Sequence, residues 1–227
     1  RWGYLFNSNS LNNIIFTNKK NTMSLKKSIV IIILILLVDQ ISKVYIKTHF
    51  KLGESITVLE WFRIAFVENE GMAWGAKIPG QYGKLTLTLF RLVAIVGIGY
   101  WLWDSILKKS SKILIISITL IFAGALGNII DSVFYGIIFN DSYGQLASMF
   151  PEGGGYAPVF YGKVVDMLYF PIWEGFLPEW IPFSGGKYFT FFDPVFNIAD
   201  MAISTGFGLL IVFNRKAFPK QKPVESE

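Results

Sequence analysis

The chain has no cysteine and only one histidine, and these two shortages exclude several kinds of chemistry. Without cysteine there is no disulfide, no thiolate nucleophile and no Cys-ligated metal. The single histidine, His49, excludes a multi-histidine metal site and counts against a Ser-His-Asp triad. We therefore expect no metal centre and no other cofactor.

Charge is also scarce in this sequence. Only 16% of residues are charged, whereas 52% are hydrophobic and 17% are aromatic. A soluble domain carries about 25% charged residues. The net charge of +5 is modest, and the lysines are scattered rather than gathered on one face, so no nucleic-acid partner is expected. This composition predicts a compact membrane protein.

Four apolar runs are each long enough to cross a bilayer as a helix, which needs about 20 residues. They cover residues 28–46, 85–103, 113–131 and 195–213. Arg91 interrupts the second run, and its long side chain can snorkel towards an interface. We predict an all-α membrane protein, a bundle of four transmembrane helices, with residues 23–217 forming a single membrane-embedded domain.

The two ends of the chain differ from this apolar middle. Residues 1–22 are polar and Asn-rich and precede Met23, where a native start would sit, so we interpret them as a disordered leader or upstream translation. Lys26 and Lys27 precede the first apolar run as in a secretory signal. No small-residue cleavage site follows, so we expect an uncleaved anchor. Residues 218–227 are predicted to be a cytoplasmic tail.

Basic residues predict the orientation of the bundle. They are concentrated after the second run and after the fourth run, at Lys108, Lys109, Lys112, Arg215, Lys216, Lys220 and Lys222. The positive-inside rule then places both termini in the cytoplasm. Residues 54–75 alternate between apolar and polar side chains, which predicts a small extracytoplasmic hairpin or sheet. Residues 132–194 are predicted to be an external loop.

Four aspartates should lie on the same side of this bundle. Asp39, Asp131 and Asp200 are near the outer ends of their apolar runs, and Asp166 is in the external loop. A carboxylate in or near hydrocarbon is costly and usually functional. The alternative is that these are ordinary interfacial acids, or packing partners of Lys43 and Arg91.

Two asparagines strengthen the functional interpretation. Asn128 precedes Asp131 by three residues, and Asn197 precedes Asp200 by the same offset, so each pair shares one helical face. An Asn amide can hold a peptide carbonyl or orient a carboxyl group. Either pair could instead be a satisfied hydrogen bond between helices.

Five short segments resemble, in order and from the first run to the last, the motifs of the bacterial lipoprotein signal peptidases (signal peptidase II). They are Asp39-Gln40-Ile-Ser-Lys43, Asn69-Glu-Gly71-Met-Ala73-Trp74, Gly127-Asn128-Ile-Ile-Asp131, Val164-Val165-Asp166 and Phe196-Asn197-Ile-Ala199-Asp200. The resemblance implies an intramembrane aspartic endopeptidase. Such an enzyme removes the signal peptide from diacylglyceryl-modified prolipoproteins by cutting before the lipidated cysteine.

The resemblance also implies roles for individual residues. Asp166 and Asp200 match the catalytic pair, and the positions that match substrate-binding or supporting residues are Asp39, Lys43, Asn69, Gly71, Asn128, Asp131, Asn197 and Ala199. It further implies a place in the bacterial inner membrane, an active site at the outer leaflet, contact with membrane lipid and sensitivity to globomycin. We expect a monomer.

Three features depart from the family pattern. Ser132 follows Asp131 where the family usually has arginine, the segment 132–194 is enlarged, and the leader before Met23 has no counterpart. Two other functions stay open, a proton-coupled transporter and a catalytically silent membrane scaffold. A transporter predicts acids through the whole membrane depth, whereas the four aspartates are expected at one face.

Overall fold

The computed structural model describes residues 22–70, 79–80 and 82–219. Its helices are α1 (Leu25–His49), α2 (Gly83–Leu107), α3 (Lys112–Ile130), α4 (Gly136–Ile138), α5 (Ile198–Val212) and α6 (Asn214–Ala217). A π-helical turn, Asp131–Tyr135, joins α3 to α4. The strands are β1 (Ser55–Leu59), β2 (Phe62–Asn69), β3 (Val164–Tyr169), β4 (Trp173–Phe176), β5 (Tyr188–Phe191) and β6 (Val195–Phe196).

In the part of the chain that the structure describes, three helices are long and apolar enough to cross a membrane: α1, α2 and the continuous helix Lys112–Ile138. Their outward faces expose large apolar side chains, such as Leu34 at 56% and Val93 at 73%. Water does not favour such a surface, whereas hydrocarbon covers it without cost. The exposed faces and the lengths of these helices together indicate a membrane protein.

The fourth apolar run forms a shorter helix than the sequence predicted. Val195 and Phe196 are in strand β6, and α5 begins at Ile198 because Asn197 caps it. The 15 residues of α5 extend about 22 Å, which is less than the hydrocarbon thickness of about 30 Å. The predicted span of residues 195–213 therefore begins before the helix does, within strand β6.

Helix α3 lies at the centre of the bundle, where it packs against α1, α2 and α5. Glycines make this close packing possible. A Cβ atom at Gly124 would overlap the main-chain carbonyl oxygen of Ala199, and one at Gly127 would lie 2.7 Å from Asp39 Oδ2. Small residues let helix backbones approach closely, as is typical of membrane helices.

The main sheet is larger than the hairpin that the sequence predicted. Its strand order is β1-β2-β3-β6, with all neighbours antiparallel. β1 and β2 lie within the predicted region 54–75. β3 and β6 come from segments that the sequence analysis assigned to a loop and to a membrane span, because short strands that pair with distant partners leave little periodicity of their own.

An irregularity in the pairing of β2 with β3 lies beside Asp166. Ile64 pairs with Leu168 and Val67 pairs with Asp166, so β2 has one more residue than β3 between these pairs. Two successive residues of β2, Ala65 and Phe66, are consequently both buried. A bulge of this kind redirects side chains and is common next to functional sites.

The segment predicted to be an enlarged external loop is largely structured. A buried ionic cluster holds its first part to α1 and β2. The Lys47 ammonium pairs with Glu68 and donates to Ser142 Oγ at 2.7 Å, and the Lys163 ammonium lies 3.3 Å from the second Glu68 oxygen. The second part is the β4–β5 hairpin, whose aromatic side chains include Phe176, Trp180 and Phe183, all more than 70% exposed.

Replacing Gly124 by alanine should destabilise the protein, although alanine is the better helix former. The new methyl group would overlap the α5 backbone at Ala199 and push α3 away from α5. Overpacking of this kind costs about 1–3 kcal/mol. The change is measured as the free energy of unfolding, or the melting temperature, of the purified protein in detergent.

Gly97→Ala on α2 is the matched control, since a Cβ at Gly97 would have no atom of the described residues within 4 Å. We expect this variant to be as stable as the parent or more stable. Equal stability of the two alanine variants would contradict the close α3–α5 contact.

Candidate active site

Asp166 lies on β3 and is almost completely buried, with 2% of its surface exposed. One carboxylate oxygen, Oδ1, accepts a hydrogen bond from Asn197 Nδ2 at 2.6 Å. The other oxygen, Oδ2, accepts one from Asn69 Nδ2 at the end of β2. The sheet pairing and the two amides therefore determine where this carboxyl group points.

Asp200 lies in the first turn of α5, where it forms a capping box with Asn197. The Asp200 N–H donates to Asn197 Oδ1 at 2.9 Å, and the Asn197 N–H donates to Asp200 Oδ2 at 3.4 Å. Asn128 Nδ2 on α3 donates to the other oxygen, Asp200 Oδ1, at 2.8 Å. A negative charge is favourable at a helix N-terminus.

Asn197 is the residue that joins the two acids. Its side-chain NH₂ group donates to Asp166, while its side-chain oxygen and its main-chain N–H complete the capping box with Asp200. The Asn197 side chain is fully buried. Each carboxylate oxygen of the pair thus accepts a hydrogen bond from a neutral N–H group, and the described residues place no cation in direct contact with either acid.

The environment favours a protonated carboxyl group at Asp166. Burial, helped by the nearby charge of Asp200, raises the pKa of Asp166 to about 8, although the hydrogen bond from Asn197 acts in the opposite direction. Two neighbouring carboxyl groups that cannot both ionise cheaply tend to share one proton. Such a pair can act as a general acid and a general base on a water molecule between them.

A second group of charges lies beneath this pair. The ammonium of Lys43 is 2.9 Å from Asp39 Oδ2 and 2.7 Å from Asp131 Oδ2, and all three side chains are completely buried. Gln40 Nε2 donates to Asp131 Oδ1 at 2.9 Å and to Asp39 Oδ2 at 3.0 Å. Tyr135 donates from its hydroxyl to Gln40 Oε1 at 3.2 Å. This Lys43 triad links α1 to α3.

The triad also positions the residues that hold the acid pair. The N–H of Ala199, in the first turn of α5, donates to Asp39 Oδ1 at 2.9 Å. Lys43 Nζ donates to Asn128 Oδ1 at 3.0 Å. Because the Asn128 oxygen is engaged by the lysine, its NH₂ group is left to donate to Asp200.

The predicted site residues therefore fall into two connected groups. Asp166 and Asp200 lie together with Asn69, Asn128 and Asn197, and the triad of Asp39, Lys43 and Asp131 lies behind them with Ala199. Gly71 lies outside the described residues.

Sequence reasoning gave no role to Gln40 and Tyr135, which contact the triad. Gln40 is adjacent to Asp39, and Tyr135 follows Asp131 by four residues, one turn along a helix. These spacings in the sequence could have indicated that Gln40 and Tyr135 contact the triad.

Comparisons with known proteins show the family to which this chain belongs. The model of the family described as Signal peptidase (SPase) II matches residues 31–215. A protein of Porphyromonas gingivalis named lipoprotein signal peptidase is 51% identical over 183 residues, which cover 80% of each chain. One of the same name from Amoebophilus asiaticus is 38% identical over 200 residues, covering 86% of this chain and 79% of the relative.

Two solved structures, both described as a bacterial membrane enzyme, have a similar fold. The first, at 2.3 Å resolution, is 25% identical with a TM-score of 0.57, and the match covers 90% of this chain and 98% of the other. The second, at 1.9 Å resolution, is 24% identical with the same TM-score of 0.57, and covers 88% and 99%.

Replacing Lys43 by methionine should strongly destabilise the fold. The change leaves Asp39 and Asp131 buried without their cation, and breaking a buried ion pair from one side costs about 3–5 kcal/mol. The measurement is the unfolding midpoint in detergent.

Lys108→Met is the matched control, because Lys108 pairs with Asp104 at the same i, i+4 spacing but is 69% exposed. An exposed pair contributes little. If Lys43→Met melted at the same temperature as Lys108→Met, the triad would not have the structural role that its burial indicates.

Proposed function

The chain belongs to the signal peptidase II family, and on that basis we propose that it removes the signal peptide from diacylglyceryl-modified prolipoproteins as an intramembrane aspartic endopeptidase. The bond that it hydrolyses precedes the lipidated cysteine. Asp166 and Asp200 are the catalytic pair. The residues around them, including Asn69, Asn128 and Asn197, position the pair or bind the substrate.

The observation that carries this proposal is the contact of Asn197 with both acids. One asparagine side chain reaches Asp166 and Asp200 at once, so the two carboxyl groups are held beside one another although they are in different elements. A packing role alone does not require two acids, one buried and one half-buried, that share a neutral partner. The arrangement suits an acid–base pair, in which one carboxyl group carries a proton and the other does not.

In the proposed reaction a water molecule between the acids attacks the scissile carbonyl carbon. Ionised Asp200 accepts a proton from the water, while protonated Asp166 donates its proton to the carbonyl oxygen. The tetrahedral diol then collapses. Asp200 returns its proton to the leaving nitrogen as the C–N bond breaks, and Asp166 recovers a proton from the hydroxyl group. No cofactor enters these steps, and each carboxyl group ends in its starting state.

The proposed orientation places both termini in the cytoplasm of a multi-pass inner-membrane protein, with α5 as the fourth span. The basic residues support it, since Lys108, Lys109 and Arg215 lie at the helix ends remote from β3. The sheet and the active site then face the outer leaflet. Residues 23–217 act as one catalytic domain, and the protein acts as a monomer.

The segment 132–194 would clamp the lipid and the peptide of the substrate together with the β1–β2 hairpin. The exposed aromatic rings of the β4–β5 hairpin support contact with lipid headgroups, because Trp, Tyr and Phe rings suit the zone between water and hydrocarbon. Sensitivity to the cyclic peptide globomycin belongs to the same proposal.

Asp166→Asn and Asp200→Asn should each abolish cleavage, with rates falling about 100-fold or more, since a general acid or base typically contributes that much. The amide has the size of the acid but neither donates nor accepts the transferred proton. The assay follows release of the signal peptide from a diacylglyceryl-modified prolipoprotein by the purified enzyme in detergent.

Asp104→Asn is the control, because Asp104 is in the last turn of α2 and pairs only with exposed Lys108 among the described residues. It should cleave at the parental rate. Normal turnover by either active-site variant, at normal expression, would rule out the assigned pair.

The activity should fall on the basic side of neutral pH. Burial raises the pKa of Asp166 to about 8, so the proton needed for catalysis is present below that pH and is lost above it. kcat/KM should therefore decline by about tenfold per pH unit above the pKa. A plateau of kcat/KM that continues unchanged to pH 10, with the enzyme still folded, would contradict a protonated Asp166 as the acid.

A further inference from the structure

Arg91 lies on the inner face of α2. Three residues before it, Thr88 is buried and donates from Oγ1 to the Phe160 carbonyl at 3.0 Å. Four residues after it, Ile95 is in a buried apolar cluster with Ile129 of α3. Residues three and four apart share a helix face. Arg91 is therefore on the face of α2 that packs towards α3.

The same face of α2 contacts the strand next to the acid pair. About two helical turns before Arg91, the ammonium of Lys84 donates to the main-chain carbonyl of Glu70 at 2.6 Å. Glu70 follows Asn69, the residue that donates to Asp166. Residues seven apart share a helix face, so Arg91 lies on the side of α2 whose first turn contacts the end of β2 beside the acid pair.

One end of this guanidinium has no hydrogen-bond acceptor among the residues that the structure describes. Arg91 Nη1 is buried and makes no hydrogen bond to any of them. A guanidinium has only donors, and a buried donor that is left unpaired is costly. The two acids of the site do not meet this need: Asp200 accepts from Asn128 and Asn197, Asp166 accepts from Asn69 and Asn197, and neither of these described carboxyl groups is hydrogen-bonded to Arg91.

Ser132 does not supply such a donor to the site. It follows Asp131, where arginine is usual in the family, but its hydroxyl group donates to the Asn128 carbonyl at 2.9 Å within its own helix. The side chain is completely buried. The residue after Asp131 is therefore not a cation, whereas Arg91 supplies a cation from the adjacent helix α2.

We propose that Arg91 binds the substrate, donating from Nη1 to a main-chain carbonyl oxygen of the signal-peptide segment in the site. A peptide in extended conformation presents such oxygens, and the guanidinium needs an acceptor. Arg91 would then replace, from a different helix, the arginine that is absent at Ser132. This inference rests on the proposed function and specifies one substrate contact within it.

The test uses Arg91→Ala in the full-length enzyme, with the diacylglyceryl-modified prolipoprotein as substrate. We expect kcat/KM to fall about 10- to 100-fold, the typical effect of losing a hydrogen bond from a charged donor. Most of the loss should be in KM, since the contact is present before and during the reaction. Millimolar methylguanidinium should restore kcat/KM several-fold, which a purely structural role of Arg91 would not allow.

Arg215→Ala is the matched control, because Arg215 is exposed in α6. It should cleave like the wild-type enzyme, with or without methylguanidinium. Wild-type kcat/KM in Arg91→Ala would overturn the inference, and so would a loss that methylguanidinium does not relieve.

Arg91→Lys keeps the test decisive if the alanine variant does not fold. Lysine retains the charge but not the planar fork of donors, so KM should still rise. Wild-type kinetics in this variant would overturn the inference. Failure of the wild-type enzyme to cleave the substrate would instead refute the proposed function, so the two failures are distinguishable.

Discussion

The burial of one lysine between two carboxylates is the constraint on which the rest of this structure depends. Lys43, Asp39 and Asp131 are inaccessible to solvent, and charges in such a place are tolerated only when they are paired and hydrogen-bonded. Their pairing sets the position of α1 relative to α3. The N–H of Ala199 on Asp39 adds the start of α5 to the same arrangement. Three helices are thereby aligned at one depth.

Asparagines connect this triad to the proposed active site and position its two carboxyl groups. Lys43 holds the oxygen of Asn128, so the amide of Asn128 faces Asp200, and Asn197 extends the network to Asp166. Neutral amides orient the carboxyl groups without the strong charge stabilisation that a lysine would give. Asp166 can therefore retain its proton near neutral pH, as the proposed acid–base reaction requires.

The enlarged segment between α3 and α5 is part of this arrangement. It contributes β3, which carries Asp166, and the buried cluster of Lys47, Glu68 and Lys163 fastens it to α1 and β2. A long insertion costs little in loop entropy when its ends are fixed. The β4–β5 hairpin can therefore extend from the sheet without disturbing the strand that holds the proposed catalytic carboxyl group of Asp166.

The sequence by itself determined that this is a membrane protein, which family it belongs to and which aspartates are candidates for the active site. Apolar runs and short motifs such as Asn197-Ile-Ala199-Asp200 are local features of the chain. The tertiary structure decided where α5 begins, which strands pair with β3 and which face of α2 packs against α3. These depend on contacts between residues far apart in the chain, such as Asn69 with Asp166. Local periodicity carries no information about such partners, since the energy that selects them arises only when the helices and the sheet pack together.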